Sequence, residues 1–264
     1  MKRRTFLQQA GVLLTGAAAA AAGGESRPMD GDNSPNERRP TVLLTSPDSS
    51  LGAALAVALA EWYEVRPAGE PLFRDEDGTL EGILKGVSAV VHVARSDVAG
   101  TGSEVLDRRG REMYDLLTVA AAEGVELVVY LSSLRMMTGY DPAFQVAEDW
   151  RPVPTSDAGQ LSHYLAECTC REFARERRLR AVVLRLGEVV RGEAGGLGPA
   201  EVPWVHQDDA VQAVRLALKA HFSGGAELRA WNVFHVAADV RGGRFPVTRA
   251  KRALGYRPRF NPSA

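Results

Sequence analysis

The sequence predicts an α/β fold in which helices cover both faces of a doubly wound parallel sheet. From Thr41 onward, short apolar runs rich in β-branched residues alternate with longer helical patterns, and this alternation is typical of βαβ units. The segments between the strand-like runs are long enough for right-handed crossovers. About 225 residues follow the N-terminal segment, which is enough for one domain with a sizeable core, or for a domain with a small lobe.

Five strands and four helices are predicted by these patterns. The predicted strands are 41–45, 63–66, 88–93, 126–131 and 181–186. The predicted helices are 51–61, 78–85, 103–123 and 157–178.

The first 22 residues have the features of a secretory signal. A twin arginine, Arg3-Arg4, precedes Phe-Leu, and a mildly apolar run from Ala10 to Ala22 ends in alanines. A charged front, a short apolar middle and an Ala-rich exit are typical of signal peptides, and the arginine pair indicates the twin-arginine route. We therefore expect a signal peptide over 1–22, a disordered linker over 23–40 and an exported, periplasmic protein. The alternative is a disordered basic tail.

The charge and cysteine content exclude several classes of function. The formal net charge of −1 falls to −4 if Lys2, Arg3 and Arg4 are removed, so we expect no nucleic-acid partner. The apolar run near the N-terminus is too short for a membrane span, so we expect no membrane contact beyond the signal segment. Cys168 and Cys170 point to nearly opposite sides of a predicted helix, which disfavours a disulfide and a metal site.

The junction between the first strand and the first helix predicts a phosphate site. Backbone N–H groups and the positive end of a helix dipole converge at such a junction. The usual dinucleotide loop has three glycines; here only Gly52 remains, and Ser46 and Ser49 occupy the other two positions. The alternative is an ordinary βα turn with Asp48 or Ser49 as the helix N-cap. The candidate ligands in this loop are Thr45, Asp48, Ser49, Ser50, Leu51 and Gly52.

Residues at the ends of the next strands are further candidates, because ligands lie outside the carboxyl ends of parallel strands. Glu70 lies near the position of an acid that would hold ribose hydroxyls, although it could equally be a solvated loop charge, and Asp75 is a second acidic candidate. Val93 and Ala94 end a buried strand and suit a wall along a cofactor. His92 in the same strand is predicted to be a satisfied strand histidine.

Tyr164 is the candidate acid/base residue. It is four residues from Cys168, and residues four apart share a face of a helix. At this spacing a tyrosine is often paired with a lysine that lowers its pKa, but the cysteine cannot supply that charge. The alternative is an amphipathic helix in which Tyr164 packs against the sheet.

Together these segments resemble the extended short-chain dehydrogenase/reductase family, the NAD-dependent epimerase/dehydratases. The resemblance covers about 41–260. Besides Tyr164 with Glu172 eight residues on, it depends on Val90-Val-His-Val-Ala94, Ala121-Ala-Glu-Gly-Val125, Tyr130-Leu-Ser-Ser133, Glu148-Asp149, Pro154-Thr155, Leu184-Arg-Leu-Gly187, Trp204-Val-His-Gln-Asp-Asp209, Trp231-Asn-Val-Phe234 and Ala253-Leu-Gly-Tyr-Arg-Pro258.

The resemblance implies a Rossmann-like fold over 41–264 with a small C-terminal substrate lobe, mainly 188–264. It implies NAD or NADP as cofactor, a small sugar-like or hydroxylated substrate, and a possible homodimer through 103–123 and 157–178. It also assigns residue roles. The Ser132/Ser133 hydroxyls (with Leu134 as the rival position) would stand at the catalytic Ser/Thr position, Ser133 would hold the substrate oxygen, and Tyr164 would be the acid/base residue. Asp209 would cap the helix that follows it and anchor the small lobe. The cofactor would contact Val93, Ala94, Leu131, Tyr164, Leu186 and Val189.

The sequence departs from the family pattern at four places. Serines replace two loop glycines, the ribose acid is absent or displaced, Arg109 stands where the family often has asparagine, and Cys168 replaces the lysine. Two functions are therefore predicted: a divergent NAD(P)-dependent oxidoreductase, or a catalytically silent binding protein that keeps the fold.

Overall fold

The computed structural model describes residues 39–69, 79–94, 100–192, 202–224 and 228–260. The predicted signal and almost all of the predicted linker lie outside these ranges. By internal contacts, Arg38–Ala264 forms one compact unit. None of the helices in the described ranges is long and apolar enough to cross a membrane.

The described chain alternates between strands and helices, as the sequence predicts. The strands are β1 (Thr41–Thr45), β2 (Glu64–Ala68), β3 (Ala89–Val93), β4 (Leu127–Ser133), β5 (Arg180–Leu186), β6 (Glu188–Val190), β7 (Trp204–His206) and β8 (Trp231–Val236). The helices are α1 (Ser50–Leu59), α2 (Thr79–Leu84), α3 (Gly102–Ala122), α4 (Ala158–Arg175), α5 (Gln207–Phe222) and α6 (Thr248–Leu254), with a 3₁₀ helix at Leu134–Met137. All five predicted strands and all four predicted helices are confirmed, with boundaries shifted by a few residues.

Six parallel strands form the main sheet in the order β2-β1-β3-β4-β5-β8. The chain turns to one side of β1 to form β2 and then to the other side to form β3, so the direction of winding reverses between β1 and β3. In open α/β sheets, ligands bind at such a reversal, outside the carboxyl ends of the strands. The predicted α/β fold with a Rossmann-like doubly wound sheet is confirmed.

Alternating strand residues build a core on each face of the sheet. Val42 and Leu44 of β1 pack on one face beneath α1, α5 and α6, and Leu43 packs on the other face beneath α2, α3 and α4. All three side chains are fully buried. Because both faces are covered, these strands are apolar at nearly every position.

The C-terminal part of the chain contributes mainly to this central layer. β8 pairs with β5 at the edge of the main sheet, and α5 packs against α1 and several strands. Among the described residues of this part, β6 and β7 form a separate element, a two-stranded parallel ribbon. Much of the predicted lobe at 188–264 therefore belongs to the sheet and its helical cover.

Candidate active site

An open cleft of about 1220 Å³ crosses the carboxyl ends of the strands, which is ample for a nucleotide-sized ligand. Of the residues predicted from sequence, the structure places nine in its lining: Ser49, Ser50, Leu51, Val93, Ala94, Leu131, Ser133, Leu186 and Val189. Four others do not line it: Thr45, Asp48, Gly52 and Tyr164. Glu70 and Asp75 lie outside the described residues.

The loop between β1 and α1 keeps the tight turn of a phosphate loop although it lacks two glycines. Ser46 has φ 50°, a left-handed conformation that a glycine would adopt without strain. Its backbone N–H donates to the carbonyl of Ala68 and its hydroxyl donates to the carbonyl of Val93, at 3.1 and 3.0 Å. Contacts to β2 and β3 therefore hold the turn in the conformation that the missing glycine would favour.

Ser49 is the N-cap of α1, which confirms one of the alternatives predicted from sequence. Its hydroxyl accepts from the N–H of Gly52 at 3.0 Å and donates to the carbonyl of Ser46 at 2.8 Å. A Cβ on Gly52 would lie 2.0 Å from that same carbonyl oxygen, so no larger residue fits without moving the turn. Asp48 is exposed and is not the cap. The positive end of α1 thus meets the cleft at Ser50 and Leu51.

Thr45 and His92 connect β1 to β3 beneath the cleft. The Thr45 hydroxyl accepts from the N–H of Val93 at 2.9 Å and lies 3.0 Å from Nδ1 of His92. The His92 ring stacks on Tyr130 with centroids 5.6 Å apart. Burial, followed by the charges of His163 and Arg109, lowers the pKa of His92 to about 4. The prediction that His92 is a satisfied strand histidine is confirmed, and Thr45 connects it to β1.

The N-terminal turns of α4 form the opposite end of the cleft. Asp157 caps this helix by accepting from the N–H of Gln160 at 2.9 Å. Asp157, Ala158, Gly159, Gln160 and His163 all line the cleft. This end of the site is therefore polar and includes one titratable ring.

Tyr164 does not face this polar end. Its side chain packs against the larger core cluster, as in the alternative in which the tyrosine packs against the sheet, and Cys168 one turn later is also absent from the cleft lining. His163, the neighbour of Tyr164 in this helix, does line the cleft, and sequence reasoning missed it. The overlooked signal was the spacing of His163 and Glu167, which are four apart and share a helix face.

A buried ion pair explains this rotation of α4. Glu167 and Arg185 are joined at 2.8 Å, with both side chains at most 5% exposed. Because Arg185 is fixed in β5, the helix must turn Glu167 towards the sheet. His163 lies one turn before Glu167 on the same helix face, so this rotation places it in the cleft lining.

His163 is held by Tyr130 of β4. Its Nδ1 lies 2.8 Å from the Tyr130 hydroxyl oxygen. Burial, followed by the positive charge of Arg109, lowers the pKa of His163 to about 4, and Asp157 opposes the shift. The imidazole is therefore neutral at neutral pH.

Ser132 and Ser133 end β4 in the floor of the cleft. The Ser133 hydroxyl accepts from the N–H of Arg135 at 3.2 Å and caps the 3₁₀ helix. The Ser132 hydroxyl is buried, and no partner for it is found among the described residues. Leu134, the rival position, is fully buried in the core. Both predicted hydroxyl positions, Ser132 and Ser133, therefore line the cleft, and the rival position Leu134 does not.

Three arginines line the cleft and add positive charge to it: Arg109 of α3, Arg135 and Arg191. Arg135 forms an ion pair with Glu188 of β6 at 2.8 Å, and both side chains remain substantially exposed. Arg191 donates to Gln207 at 2.8 Å, and the same oxygen of Gln207 accepts from the Ser50 hydroxyl at 2.9 Å. Arg191 therefore lies near the start of α1, and Arg135 lies near Ser133.

Asp209 has a structural role that differs in detail from the predicted one. His206, not Asp209, is the N-cap of α5. The buried carboxylate of Asp209 instead accepts from the backbone N–H groups of Arg259 and Phe260, at 2.9 and 3.0 Å. It anchors the C-terminal segment to α5.

The described residues suit a nucleotide better than a metal. The start of α1 offers a helix dipole to a phosphate, and Val93, Ala94, Leu131 and Leu186 offer small or apolar walls to flat rings. Within the described ranges, no three His, Cys, Asp or Glu side chains are grouped so that they could hold a metal ion.

Comparison with known proteins supports this assignment of the fold. A family model, "NAD dependent epimerase/dehydratase family", matches residues 73–194, less than half of the chain. No curated protein matches the sequence.

Several solved structures have the same fold at low sequence identity. A mutant of uronate dehydrogenase from Agrobacterium tumefaciens, complexed with NAD, is 20% identical with a TM-score of 0.70, covering 85% of this chain and 86% of that one. Glucuronic acid dehydrogenase from Chromohalobacter salexigens is 14% identical with a TM-score of 0.71 and the same coverage. A UDP-galactose 4-epimerase is 19% identical with a TM-score of 0.67, covering 84% of this chain and 94% of that one.

Proposed function

We propose that this chain is a divergent member of the NAD-dependent epimerase/dehydratase family, an NAD(P)-binding oxidoreductase that acts on a small sugar-like substrate. The observation that carries this proposal is the single cleft that runs from the start of α1 to the start of α4. The family match over 73–194 and the fold of the NAD-bound neighbours support it.

Each end of the cleft has residues suited to one part of the reaction. Ser50 and Leu51 at the start of α1, with Arg191 nearby, would hold the pyrophosphate. Leu131 and Leu186, at the ends of β4 and β5, would flank the nicotinamide. The cofactor would supply hydride transfer when bound, and the Ser133 hydroxyl would bind the substrate oxygen.

The substrate we favour is an acidic sugar. Arg135 lies two residues beyond Ser133 in the cleft lining, and its ion-pair partner Glu188 is exposed at the rim. The Arg135 guanidinium can exchange the exposed Glu188 carboxylate for a substrate carboxylate at little cost in free energy, because an exposed ion pair contributes little. Two of the structural neighbours are dehydrogenases of uronate or glucuronic acid.

A catalytically silent nucleotide-binding protein is the second candidate. It is favoured by the packing of Tyr164 against the core, away from the cleft. Without a tyrosine in the cleft, the acid/base group of an active enzyme would have to be another residue.

Titration of the purified protein with NAD and NADP tests the shared premise of both candidates. We expect micromolar binding of at least one nucleotide, measured by calorimetry. Turnover is then measured with a panel of uronates and neutral sugars by following both reduced nicotinamide and the sugar products, because an epimerase or dehydratase regenerates its cofactor. Binding with turnover supports the oxidoreductase and binding without turnover supports the silent protein, whereas failure to bind at millimolar nucleotide would reject both.

Export is a further part of the proposal, and it is supported by Arg3-Arg4 and the Ala-rich run after them. Free nicotinamide nucleotides are expected to be scarce outside the cytoplasm. An exported enzyme would therefore benefit from a retained cofactor that is regenerated within each turnover, as in epimerisation or dehydration. Cell fractionation of the wild type and an Arg3→Lys/Arg4→Lys variant tests the export: only the wild type should reach the periplasm.

A homodimer is proposed through the outer faces of α3 and α4. Tyr114 of α3 and Leu165 of α4 are 56% and 44% exposed, which is unusual for large apolar side chains. Light scattering should give twice the monomer mass, and a Tyr114→Lys/Leu165→Lys variant should give the monomer mass.

A further inference from the structure

We infer that His163, oriented by Tyr130, takes up the substrate hydroxyl proton in this cleft. The inference rests on the proposed oxidoreductase function. It assigns the acid/base role to a pair of residues on β4 and α4, in place of Tyr164.

The position of His163 is the first support. It lines the cleft together with Gly159, Gln160 and Ser133. Its Nδ1 is engaged by the Tyr130 hydroxyl at 2.8 Å, so Nε2 is the nitrogen available to a ligand. A general base needs this arrangement, in which one nitrogen is held and the other is accessible.

The support beneath His163 is rigid. Tyr130 is 2% exposed in the centre of the sheet, and its ring stacks on His92, which is tied to Thr45. The ion pair of Glu167 with Arg185 fixes the rotation of α4 from the other side. The support for the imidazole therefore comes from four strands (β1, β3, β4 and β5) and from α4, and none of these contacts depends on a loop.

His163 would take the proton of the substrate hydroxyl while a bound cofactor took the hydride. The O–H bond of the substrate would break and its proton would pass to Nε2 of His163. Bound NAD(P)⁺ would supply the oxidant by accepting a hydride from the same carbon, so that the substrate becomes a carbonyl compound and the cofactor is reduced. In the tautomer that the step requires, Nδ1–H donates to the Tyr130 oxygen.

The charged groups around His163 predict how the rate depends on pH. Arg109 of α3 disfavours the imidazolium, Asp157 at the start of α4 favours it, and Tyr130 and His92 of the sheet are the other titratable groups nearby. The low pKa of His163 means that the base is ready at neutral pH but weak. We therefore expect slow turnover whose kcat/KM is constant above about pH 6 and falls at lower pH.

Three variants separate proton transfer from a structural role. His163→Gln keeps a polar side chain but cannot act as a base, so kcat should fall roughly 100-fold or more while the Kd of NAD(P) changes little. Tyr130→Phe removes only the hydroxyl, and it should lower kcat by a smaller factor and move the acid limb of the pH profile. His221→Gln, at the far end of α5, is the control and should leave both constants unchanged.

A spectroscopic measurement on the cofactor-free protein completes the test. Nitrogen-15 NMR should show His163 neutral at pH 7 with the proton on Nδ1, and Tyr130→Phe should alter that tautomer signal. Unchanged kcat in His163→Gln would overturn the inference but leave the oxidoreductase proposal intact. Nucleotide binding without turnover in the wild type would overturn the inference and favour the silent protein, and absent nucleotide binding would remove the proposed function itself.

Discussion

Glu167 and Arg185 form a two-point ion pair in the core, with Nε to Oε1 at 3.0 Å and Nη2 to Oε2 at 2.8 Å. Arg185 also donates to the backbone carbonyl of Glu148 at 3.3 Å. Since one partner is in α4 and the other in β5, the pair sets which residues of α4 reach the cleft.

Removing one member of this pair should strongly lower the stability of the folded domain. Glu167→Ala leaves the buried guanidinium without its counter-charge, and we expect a loss of about 3–5 kcal/mol in the free energy of unfolding. Glu172→Ala is the matched control, because its partners Arg171 and Arg175 are exposed on the same helix, and it should lower the free energy of unfolding far less. Denaturant melts of both variants measure the difference, and equal losses would contradict the role of the buried pair.

Gly52 and Gly110 should respond in opposite ways to the same substitution. Gly52→Ala places a methyl group against the Ser46 carbonyl, and we expect a loss of roughly 1–3 kcal/mol in stability together with weaker NAD(P) binding. Gly110→Ala, in α3 with open space around its Cα, should stabilise the protein by up to about 1 kcal/mol. Thermal melts and nucleotide titrations measure both effects; unchanged affinity in Gly52→Ala would argue against a nucleotide at the start of α1.

The buried histidines should make the domain sensitive to acid. Burial is the main cause that lowers the pKa of His92 and His163 to about 4 and that of His235 to about 3. Between these values and the ordinary histidine pKa near 6.5, the unfolded chain binds more protons than the folded chain. The free energy of unfolding should therefore decrease as pH falls from about 6.5 towards 4, by up to about 1.4 kcal/mol per pH unit for each histidine.

Urea melts across that pH range check the expectation. In His235→Asn, one fewer proton is taken up on unfolding, so the slope of unfolding free energy against pH should be smaller by up to about 1.4 kcal/mol per pH unit. Glu148 acts in the opposite direction, because burial raises its pKa and the folded chain then binds a proton that the unfolded chain releases. A wild-type stability that stayed constant from pH 6.5 to 4.5 would show that these histidines are not held neutral.

Arg135 should discriminate acidic from neutral sugars. Arg135→Ala should raise KM for a uronate by about tenfold to a hundredfold, the loss expected for a charged hydrogen bond, and should change KM little for the corresponding neutral sugar. Arg171→Ala, an exposed arginine of α4, is the control and should affect neither substrate. Equal increases in KM for both sugars in Arg135→Ala would mean that the guanidinium does not bind the carboxylate.

The sequence was sufficient to predict the order of the first nine elements, since buried parallel strands and amphipathic helices leave different apolar patterns. It also limited the N-cap of α1 to Asp48 or Ser49, and Ser49 is the cap, because capping depends on residues only three apart. The short strands β6 and β7, three residues each, have no such local pattern. They pair only where the folded chain brings them together.

The face of α4 that reaches the cleft could not be predicted from the helix alone. Tyr164 with Cys168 and His163 with Glu167 both have the spacing of one helix face, so local periodicity favours neither. The choice is made by Arg185, a strand residue 18 positions away from Glu167. A contact between distant residues therefore determines which side chains of α4 line the cleft.

The direction of β1 has a practical consequence for experiments with this protein. Thr41 is the first residue of β1, so it lies at the amino ends of the parallel strands, opposite the cleft. The neighbouring strands of β1 run in the same direction. An affinity handle fused ahead of Arg39 would therefore join the domain at the amino ends of the strands. Immobilisation through such a handle would leave the mouth of the cleft open to solution, which suits surface-based measurements of nucleotide and sugar binding.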